Sequence, residues 1–379
     1  MKKYFIIAAA ALVAMTGCSK IETAPEVQRE ISFQVANNVN TKATGSVYDN
    51  GAFGTYAWFN NTDVFMVNEQ VDKSGGVWKT VDNTYYWPKT GSISFISYSP
   101  FTGASNSENS VPVITKNSIT YTDVTVGTTD LMYADRATCS SNVDEVTDGD
   151  DTADSGFTGV PTVFNHALAK LSFKIKANFV EYTDATTNST TSWEVTVTSA
   201  KISGFKTKGS LALTLNEDGK TWDKPVTNIG TSDDPVNVNI WTDATGATEE
   251  QELIDATTYP DGVLLTTTAQ DLAAASGFVL PQQLTADTQK LELTIHIKTN
   301  LPNGHFIEED FNPVIDIKNI SSLQAWQMNQ NIVYTIKIKP TAKAAGDSGH
   351  DNDPDDVIIT FDPAVADWVT VDADATIQL

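Results

Sequence analysis

The sequence predicts an all-β fold built from β-sandwiches. Runs in which apolar and polar residues alternate with a period of two recur along most of the chain, and turns rich in Asn, Asp, Gly and Thr separate them. Helical character is confined to two short stretches, Asp271–Ala275 and Ser321–Gln327. Because the chain has 379 residues, 40% of them hydrophobic, it is long enough for two domains with separate cores.

The first strand is predicted in EISFQV, where Ile31, Phe33 and Val35 alternate with polar residues. A polar loop follows this strand, with Lys42 near its middle. The next two strands, FGTYAWF and DVFMV, are separated by NNT, a combination that favours a turn. These segments begin the first predicted sandwich.

An aromatic segment continues the first half of the chain. Ile93 and Phe95 alternate after a turn at Trp87-Pro88, which indicates another strand. The aromatic side chains around it could form a platform for a sugar, but large aromatic residues dominate sandwich interiors. We therefore expect core and turn packing for Tyr85, Tyr86, Trp87 and Tyr98.

A change in composition marks the passage to the second half. Residues 141–159 are acidic and polar, as in a surface loop. After this loop Leu171, Phe173 and Ile175 face one way between flanking lysines, which indicates the first strand of a second domain. The sequence therefore predicts an N-terminal sandwich over residues 43–160 and a C-terminal sandwich over residues 161–341.

Residues 342–379 contain an acidic linker followed by a last predicted strand segment. Two runs in this segment alternate; they are Ile359 with Phe361, and Val369 and Val371 with Ile377. A last strand beyond a linker is unusual for a closed sandwich. It can pair with its own domain or with a neighbouring molecule.

The first 18 residues have the layout of a bacterial lipoprotein signal. Lys2 and Lys3 precede a short apolar run, and small residues stand directly before Cys18. The apolar run is too short for a membrane-spanning helix. We predict a signal peptide at residues 1–17 and lipidation of the Cys18 sulfur, which would anchor the exported chain in a membrane.

The charge and the reactive residues argue against several functions. The net charge is −24, and loss of the two signal-peptide lysines makes it −26, which argues against binding nucleic acid. Cys139 has no second cysteine once Cys18 carries lipid, so we predict no disulfide. The four histidines are scattered, and no catalytic, nucleotide-binding or zinc motif is found. We predict no enzyme activity, no cofactor and no metal.

Other candidate residues have simpler interpretations. The acidic runs Asp144–Asp154 and Asp351–Asp356 favour solvated loops over calcium sites, because their spacing is not that of an EF-hand. His166 stands beside apolar residues, so we expect a packed or hydrogen-bonded core histidine. Cys139 is expected to be a small buried or loop residue.

Several motifs occur in a characteristic order. They are the lipobox, the first strand followed by TKA, FGTYAWF, a WPxxGxIxFxxYSP stretch, FNHALAKLSFKIK and a late WxMNQNxxYTIKI run. In this order they resemble the fimbrillin (Mfa-like) family, the subunits of type V pili. Each motif is short, so the specificity lies in their order.

The resemblance implies a fold and an assembly mechanism. The fold would be two transthyretin-like β-sandwiches, and the precursor would reach the outer membrane as a lipoprotein. A trypsin-like protease would cut the loop after the first strand, and the freed strand would leave a groove in the N-terminal domain. The C-terminal strand of another subunit would fill this groove.

Carried over to this chain, residues 18–42 would be the lipidated tether with the removable strand, which contains Ile31, Phe33 and Val35. The cut would follow Lys42, where the family usually has Arg. Arg29 is an alternative cut site, but a cut there would keep the strand. The donor strand would come from residues 342–379, with Ile359 and Phe361, or Val369, Val371 and Ile377, as the inserted side chains.

Two functions are therefore compared. The first is a structural subunit of a type V pilus that assembles by strand exchange, serves adhesion at the cell surface and has copies of itself or related pilins as partners. The alternative is a monomeric surface lipoprotein that binds glycan or host protein without polymerising. An exported enzyme would need a convergent His or carboxylate cluster in a cleft.

Overall fold

A computed structural model of the chain describes residues 30–37, 48, 51–103, 111–140, 159–178, 180–229, 236–272, 277–320, 323–340 and 358–366. For the last of these ranges only the backbone pairing is described. Within this part of the chain the secondary structure is almost entirely β, with one short helix, α1 (Ile317–Ile320). The all-β prediction is confirmed.

The first sheet contains the N-terminal strands and closes on itself. Its strands are β1 (Phe33–Asn37), β2 (Phe53–Phe59), β3 (Asp63–Ser74), β4 (Val77–Thr80), β5 (Ser92–Ser99), β8 (Met132–Ala134), β9 (Ala137–Ser140) and β10 (Val160–His166). The order is β2-β3-β4-β1-β10-β8-β5-β9, and a further pairing between β2 and β5 closes the sheet into a ring, with β9 paired to β5 as an additional strand. We call this arrangement the closed sheet.

The local sequence explains the β2–β3 hairpin. Asn60 and Asn61 adopt positive φ values of 47° and 58°, which asparagine tolerates better than most residues. The Thr62 N–H donates to the Phe59 carbonyl oxygen at 3.0 Å and completes the turn. The predicted turn between FGTYAWF and DVFMV is confirmed.

The second sheet forms one face of the C-terminal half. It contains β11 (Ala169–Ala177), β19 (Gln270–Asp271), β20 (Gly277–Val279), β26 (Gln330–Lys339) and β27 (Ile358–Ala366). Its order is β19-β11-β26-β27, with β20 also paired to β11. β11 and β26 run parallel, and the buried rings of Phe173 and Tyr334 stack between them at 5.3 Å.

The third sheet is organised around one long strand, β13 (Thr190–Leu215). The others are β6 (Val113–Thr115), β7 (Ser118–Thr125), β12 (Glu181–Thr183), β14 (Trp222–Asp223), β17 (Thr242–Glu252), β18 (Val263–Leu264), β22 (Lys290–Asn300), β23 (Phe306–Phe311) and β24 (Val314–Asp316). The main order is β23-β22-β13-β7-β6.

Two small sheets complete the described part. They are β15 (Val226–Asn228) with β16 (Asn237–Asn239), and β21 (Gln282–Gln283) with β25 (Ala325–Trp326). The expected helical stretch at Ser321–Gln327 is wrong where it is described, because β25 lies within it. The helix precedes it, at α1.

Within the described residues three larger buried cores lie between these layers, and a small fourth cluster contains Val238, Ile240 and Ala325. One fills the closed sheet, and another lies between the second and third sheets. The third joins residues of the closed sheet, such as Trp58 and Tyr133, to residues of the third sheet, such as Tyr121 and Leu213. The two halves of the chain are therefore packed together through an apolar layer.

The sheet boundaries bear on the predicted division of the chain. The predicted boundary at residues 160–161 falls inside β10, which belongs to the closed sheet. β7, which precedes that boundary, pairs with β13 of the C-terminal half, and β6 pairs with β7 in the same sheet. The number of domains and their likeness to transthyretin stay predictions.

Candidate functional site

The candidate site is the position of β1, the strand that the resemblance to fimbrillins implies to be removable. β1 runs parallel to β10, with Phe33 opposite Val160 and Asn37 opposite Phe164. It also pairs antiparallel with β4 through Phe33 and Trp78. β1 is thus an internal strand, and its loss would leave the facing edges of β4 and β10 unpaired.

The side chains of this segment fill the interior of the closed sheet. Ile31 is 1% exposed and Phe33 is 3% exposed, and Val35 packs half-buried against the same core. The Phe33 ring meets Phe53 and Phe95 edge-on, with centroids 5.6 and 5.7 Å away. Such contacts stabilise the core beyond simple area burial.

Polar contacts hold the N-terminal end of the segment. The Ile31 N–H donates to the Tyr85 carbonyl oxygen at 2.8 Å, and the backbones of Glu30 and Tyr86 form a bridge. The Lys79 ammonium lies 3.6 Å from the Glu30 carboxylate, with both side chains partly exposed. Backbone hydrogen bonding and an ion pair therefore both hold this end of the strand.

The backbone before β10 approaches β1 closely at Gly159. The Val160 N–H donates to the Ser32 carbonyl oxygen at 2.7 Å. Gly159 has φ +107°, and a Cβ at this position would lie 2.8 Å from the Phe33 carbonyl carbon. Glycine is required here by both the conformation and the space.

Tyr85, which accepts the Ile31 N–H, is positioned by Glu69. The Tyr85 hydroxyl donates to Glu69 Oε1 at 2.8 Å, and Asn83 Nδ2 donates to Oε2 at 3.1 Å. Burial, followed by the hydrogen bond and negative charge of Glu69, raises the pKa of Tyr85 to about 12. The phenol therefore stays neutral, and remains a donor, through the ordinary pH range.

The last described strand, β27, lies at the opposite end of the chain and at the edge of its sheet. It pairs antiparallel with β26, with Ile359 opposite Ile338 and Phe361 opposite Ile336. Among the described residues β27 has no partner on its other side. The sequence left open whether this strand pairs with its own domain or with a neighbouring molecule. In the structure it pairs with β26 of its own chain.

Several predicted site residues lie outside the described part of the chain. They are Cys18, Arg29, Lys42, Val369, Val371 and Ile377, together with both acidic runs. The structure therefore brings together the removable-strand residues Ile31, Phe33 and Val35, and it places the backbone of one donor run. Lipidation, cleavage and donor insertion stay predictions.

Three expectations about single residues can be compared with the structure. His166 is buried, and its Nδ1 pairs with Asp130 Oδ2, so the core prediction is confirmed. Cys139 is buried in β9, within the core of the closed sheet, as expected. Trp87 and Tyr98 are buried and Tyr85 packs half-buried against the core of the closed sheet, as expected, whereas Tyr86 is 44% exposed and forms a backbone bridge with Glu30.

Sequence reasoning missed the contacts that join the two halves. The Trp222 indole N–H donates to the Ala134 carbonyl oxygen at 2.9 Å, and the Trp241 N–H donates to that of Ala167 at 2.7 Å. Trp222 stands alone in a polar segment, TWDK. An isolated tryptophan in such a segment is the signal that could have indicated a docking contact.

A partly buried ion cluster lies beside these contacts. Burial raises the pKa of Asp135, and the positive charge of Lys224 opposes this shift. Burial lowers the pKa of Lys224, and Asp135 opposes that shift in turn. Asn165 Nδ2 donates to Asp135 Oδ1 at 3.2 Å, so the carboxylate is also held by the end of β10.

The described residues contain no cluster of three or more His, Cys, Asp or Glu side chains arranged to hold a metal ion. In the same ranges, no helix has the length and hydrophobicity needed to cross a membrane. The chemistry that the described arrangement offers is strand pairing and apolar packing at the β1 position.

The fold defines an all-β protein in which an N-terminal strand completes a closed sheet. The Fimbrillin-like family matches residues 41–368, which is most of the chain. The chain belongs to the fimbrillin-like family. No curated protein matches the chain significantly.

Several solved structures match most of the length of this chain. A fimbrial protein from Bacteroides vulgatus shares 16% identity, covers 90% of this chain and 99% of its own, and has a TM-score of 0.45. A candidate cell adhesion protein from Bacteroides uniformis shares 21% identity over 89% of this chain and 98% of its own, with a TM-score of 0.42. The fimbrial anchor protein Mfa2 from Porphyromonas gingivalis shares 12% identity over 90% and 98%, with a TM-score of 0.28. Scores this low carry no argument about function.

Proposed function

We propose that this chain is a structural pilus subunit that serves adhesion at the cell surface and assembles by strand exchange after its N-terminal strand is cut away. The observation that carries the proposal is the position of β1, an internal strand that completes the closed sheet. The chain between β1 and the rest of that sheet contains Lys42. A cut there would leave β1 attached by non-covalent contacts alone.

Loss of β1 would create a site with a defined shape. The open edge of β10 would present unpaired backbone groups, and the spaces left by Ile31 and Phe33 would form apolar pockets. Burying each such side chain stabilises a protein by about 2 kcal/mol. An incoming strand with apolar residues at alternate positions would satisfy the edge and the pockets together.

The C-terminal segment is the proposed donor. β27 lies at an edge, and a further stretch of chain follows it. In that stretch every second residue is apolar, in the order Val369, Val371, Ala373, Ala375, Ile377 and Leu379. Because β27 is engaged with β26 in its own sheet, we favour residues 369–379 over Ile359 and Phe361 as the inserted run.

The remaining steps follow from the N-terminal segment. Cys18 would carry the lipid that holds the precursor at the outer membrane, and the cut after Lys42 would remove lipid and strand together. Donor and acceptor surfaces lie on different parts of the molecule, so the contact is heterologous and yields an open filament.

Substitution of the proposed cut site tests the processing step. We expect Lys42→Ala cells to retain full-length lipoprotein at the outer membrane and to show no ladder of SDS-resistant oligomers. The matched control, Arg29→Ala, should be processed and should assemble like the unmodified protein. Normal oligomers from the Lys42→Ala variant would show that this cleavage site is wrong.

Cys139 offers a direct readout of the open site, because its side chain lies in the core that β1 completes. In a chain beginning at residue 19, Cys139 is the remaining cysteine. We expect slow alkylation of its thiol while β1 is in place and fast alkylation after β1 is removed. Addition of a peptide of residues 357–379 should restore slow alkylation. Continued protection of the thiol without β1 would contradict an open groove.

A monomeric surface lipoprotein is the second candidate function. It is favoured by the fact that β1 and β27 both pair within one molecule. N-terminal sequencing of surface material separates the two functions. A mature start at Ala43 supports the pilus subunit, whereas a start at Cys18 in all surface material supports the monomer.

A further inference from the structure

Residues 30–37, which we call the β1 segment, have more contacts in their N-terminal half than in their C-terminal half. Its N-terminal half contacts several segments, since Ile31 bonds to Tyr85 and Phe33 pairs with both Val160 and Trp78. In the described part of the chain, residues 34–37 pair with β10 alone. The C-terminal half of β1 therefore has one ladder of hydrogen bonds where an internal strand usually has two.

The β3–β4 hairpin explains this asymmetry. The antiparallel register of Phe33 with Trp78 sets Gln34 level with the first residue of β4, so Val35 lies level with the hairpin turn. Gly75 and Gly76 form this turn with φ values of 59° and 87°. Within the described part of the chain, a Cβ added at either glycine would meet no atom within 4 Å. Among these residues, β4 therefore offers no pairing partner to Val35 or to the residues after it.

Burial follows the same gradient along the strand. Ile31 and Phe33 are buried, Val35 is half-buried and Gln34 is exposed. Local opening of a strand begins where buried contacts and hydrogen bonds are fewest. The end of β1 that is nearer to Lys42 is therefore the end that opens at the lowest free energy.

Tyr48 closes the interior at this end of the strand. It is buried, its ring stacks on Phe164 at 4.9 Å, and it meets Trp78 edge-on at 5.4 Å. Tyr48 lies on the C-terminal side of Lys42 and stays with the body after the cut. Residues 34–37 can therefore leave β10 while the aromatic core remains covered.

We infer that strand exchange begins at the C-terminal half of β1, where the C-terminal strand of a second copy pairs with β10 near Phe164 and then displaces β1 toward Ile31. This inference rests on the proposed function and adds the order of replacement. The groove is never empty in this sequence of events, so its apolar pockets stay covered throughout.

The occupant is residues 357–379 of a second copy. Within this segment the alternating run that starts at Val369 is the inserted part, because Ile359 and Phe361 belong to β27, which pairs with β26. This run presents apolar residues at every second position, as pairing along β10 requires.

The dependence of the exchange rate on donor concentration tests the inference. The protein used is the chain from residue 19 with a specific protease site inserted after Lys42, and it is cut while β1 remains bound. A labelled peptide of residues 357–379 is then added in excess, and release of the β1 fragment is followed by mass and by size exclusion. We expect the release rate to rise in proportion to peptide concentration. A rate that is the same at all peptide concentrations would show that β1 leaves first, and the inference would be wrong.

Two variants with matched truncations test the direction. Val35→Ala weakens the end where displacement starts, so we expect release about five- to tenfold faster, since loss of a contact that breaks before the rate-limiting point speeds the reaction. Ile31→Ala weakens the end that leaves last, so its release rate should change less than twofold. A larger acceleration by Ile31→Ala would overturn the direction.

Hydrogen exchange in the uncut protein checks the direction without any substitution. The amides of residues 35–37 should exchange faster than those of residues 31 and 33. The reverse order would also overturn the inference. If the cut protein never accepts the peptide at any concentration, the proposed function itself fails, and that result is distinguished from the others by the absence of a complex.

Discussion

β1 and β27 are the first and last described strands, and they occupy opposite kinds of position. β1 is internal, since it lies between β4 and β10 and completes a ring of paired strands. β27 is the last strand of its sheet and pairs with β26 alone among the described residues. Loss of β1 would open the core of the closed sheet, whereas loss of β27 would remove only an edge strand from its sheet. These positions fit the proposed roles, in which β1 is the strand that is replaced and the residues after β27 form the strand that a neighbouring subunit receives.

The largest expected effect follows removal of the C-terminal run. Deletion of residues 367–379 should abolish assembly, while the monomer unfolds at the same denaturant concentration as the complete chain, because the deleted residues lie beyond β27. A variant with these residues in scrambled order should also fail, whereas Val369→Ile should assemble. Oligomer ladders and urea midpoints measure the two properties. If the truncated chain formed normal fibres, residues 367–379 would not be the donor strand.

The next effect tests how far β1 supports the closed sheet. Phe33→Ala should lower the free energy of unfolding of the uncut protein by about 3–5 kcal/mol, the usual cost of truncating a buried phenylalanine. Val64→Ala is the control in the same sheet, because Val64 is 65% exposed, and it should change stability by less than about 0.5 kcal/mol. If urea unfolding showed the same loss of unfolding free energy in Phe33→Ala and Val64→Ala, a central role for β1 would be contradicted.

The stability of the closed sheet should also depend on alkaline pH through Tyr85. The tyrosine pKa is 10.0 for the unperturbed side chain and about 12 in the fold, so its stabilising contribution is complete below pH 10 and is lost as pH rises through 12. We expect the free energy of unfolding of the uncut protein to fall progressively over this range. Burial also raises the pKa of Tyr121 and Tyr133, so Tyr85→Phe should remove part of the dependence. An unchanged profile in this variant would contradict the assignment.

The smallest effect concerns the ion pair at the N-terminal end of the segment. Lys79→Ala should weaken retention of β1 in the cut protein by about 0–1 kcal/mol, because both partners are partly exposed. The difference should shrink in 1 M salt. Lys220→Ala removes an equal charge from an exposed turn and serves as the control. A larger loss in Lys220→Ala would show that net charge, and not this pair, holds the strand.

Strands with strict alternation could be predicted residue by residue. In β11 Leu171, Phe173 and Ile175 are buried, and the lysines between them are only partly covered. β22 and β26 follow the same pattern over their lengths. In these strands one face packs against a core and the other faces solvent. Apolar and polar residues therefore alternate along the sequence with a period of two.

β13 shows where local patterns mislead. Its alternating pattern is interrupted at Gly204 and Gly209, so the pattern by itself indicates more than one strand. In the structure Gly204 has φ +79° at a bulge, where a Cβ would lie 1.9 Å from the Thr288 carbonyl oxygen. The glycine permits a close backbone approach inside one continuous strand, and the sequence alone does not distinguish this use from a turn.

The partners of each strand could not be predicted from the chain in hand. β1 pairs parallel with β10, which lies more than a hundred residues later, and β6 and β7 cross to the sheet of β13. Alternation specifies which face of a strand is apolar, but it carries no information about the strand beside it. That choice depends on how the side chains of distant segments fill a shared core.

The sequence by itself determined that the chain is an all-β protein, that Ile31, Phe33 and Val35 share one face, and that the last segment is another strand. Only the tertiary structure decided that the first of these strands completes a ring and that β27 lies at an edge. The physical reason is that alternation is a local property, whereas being internal or at an edge depends on long-range pairing. Whether a strand completes a core, as β1 does, or lies at the edge of a sheet, as β27 does, is therefore a property of the fold.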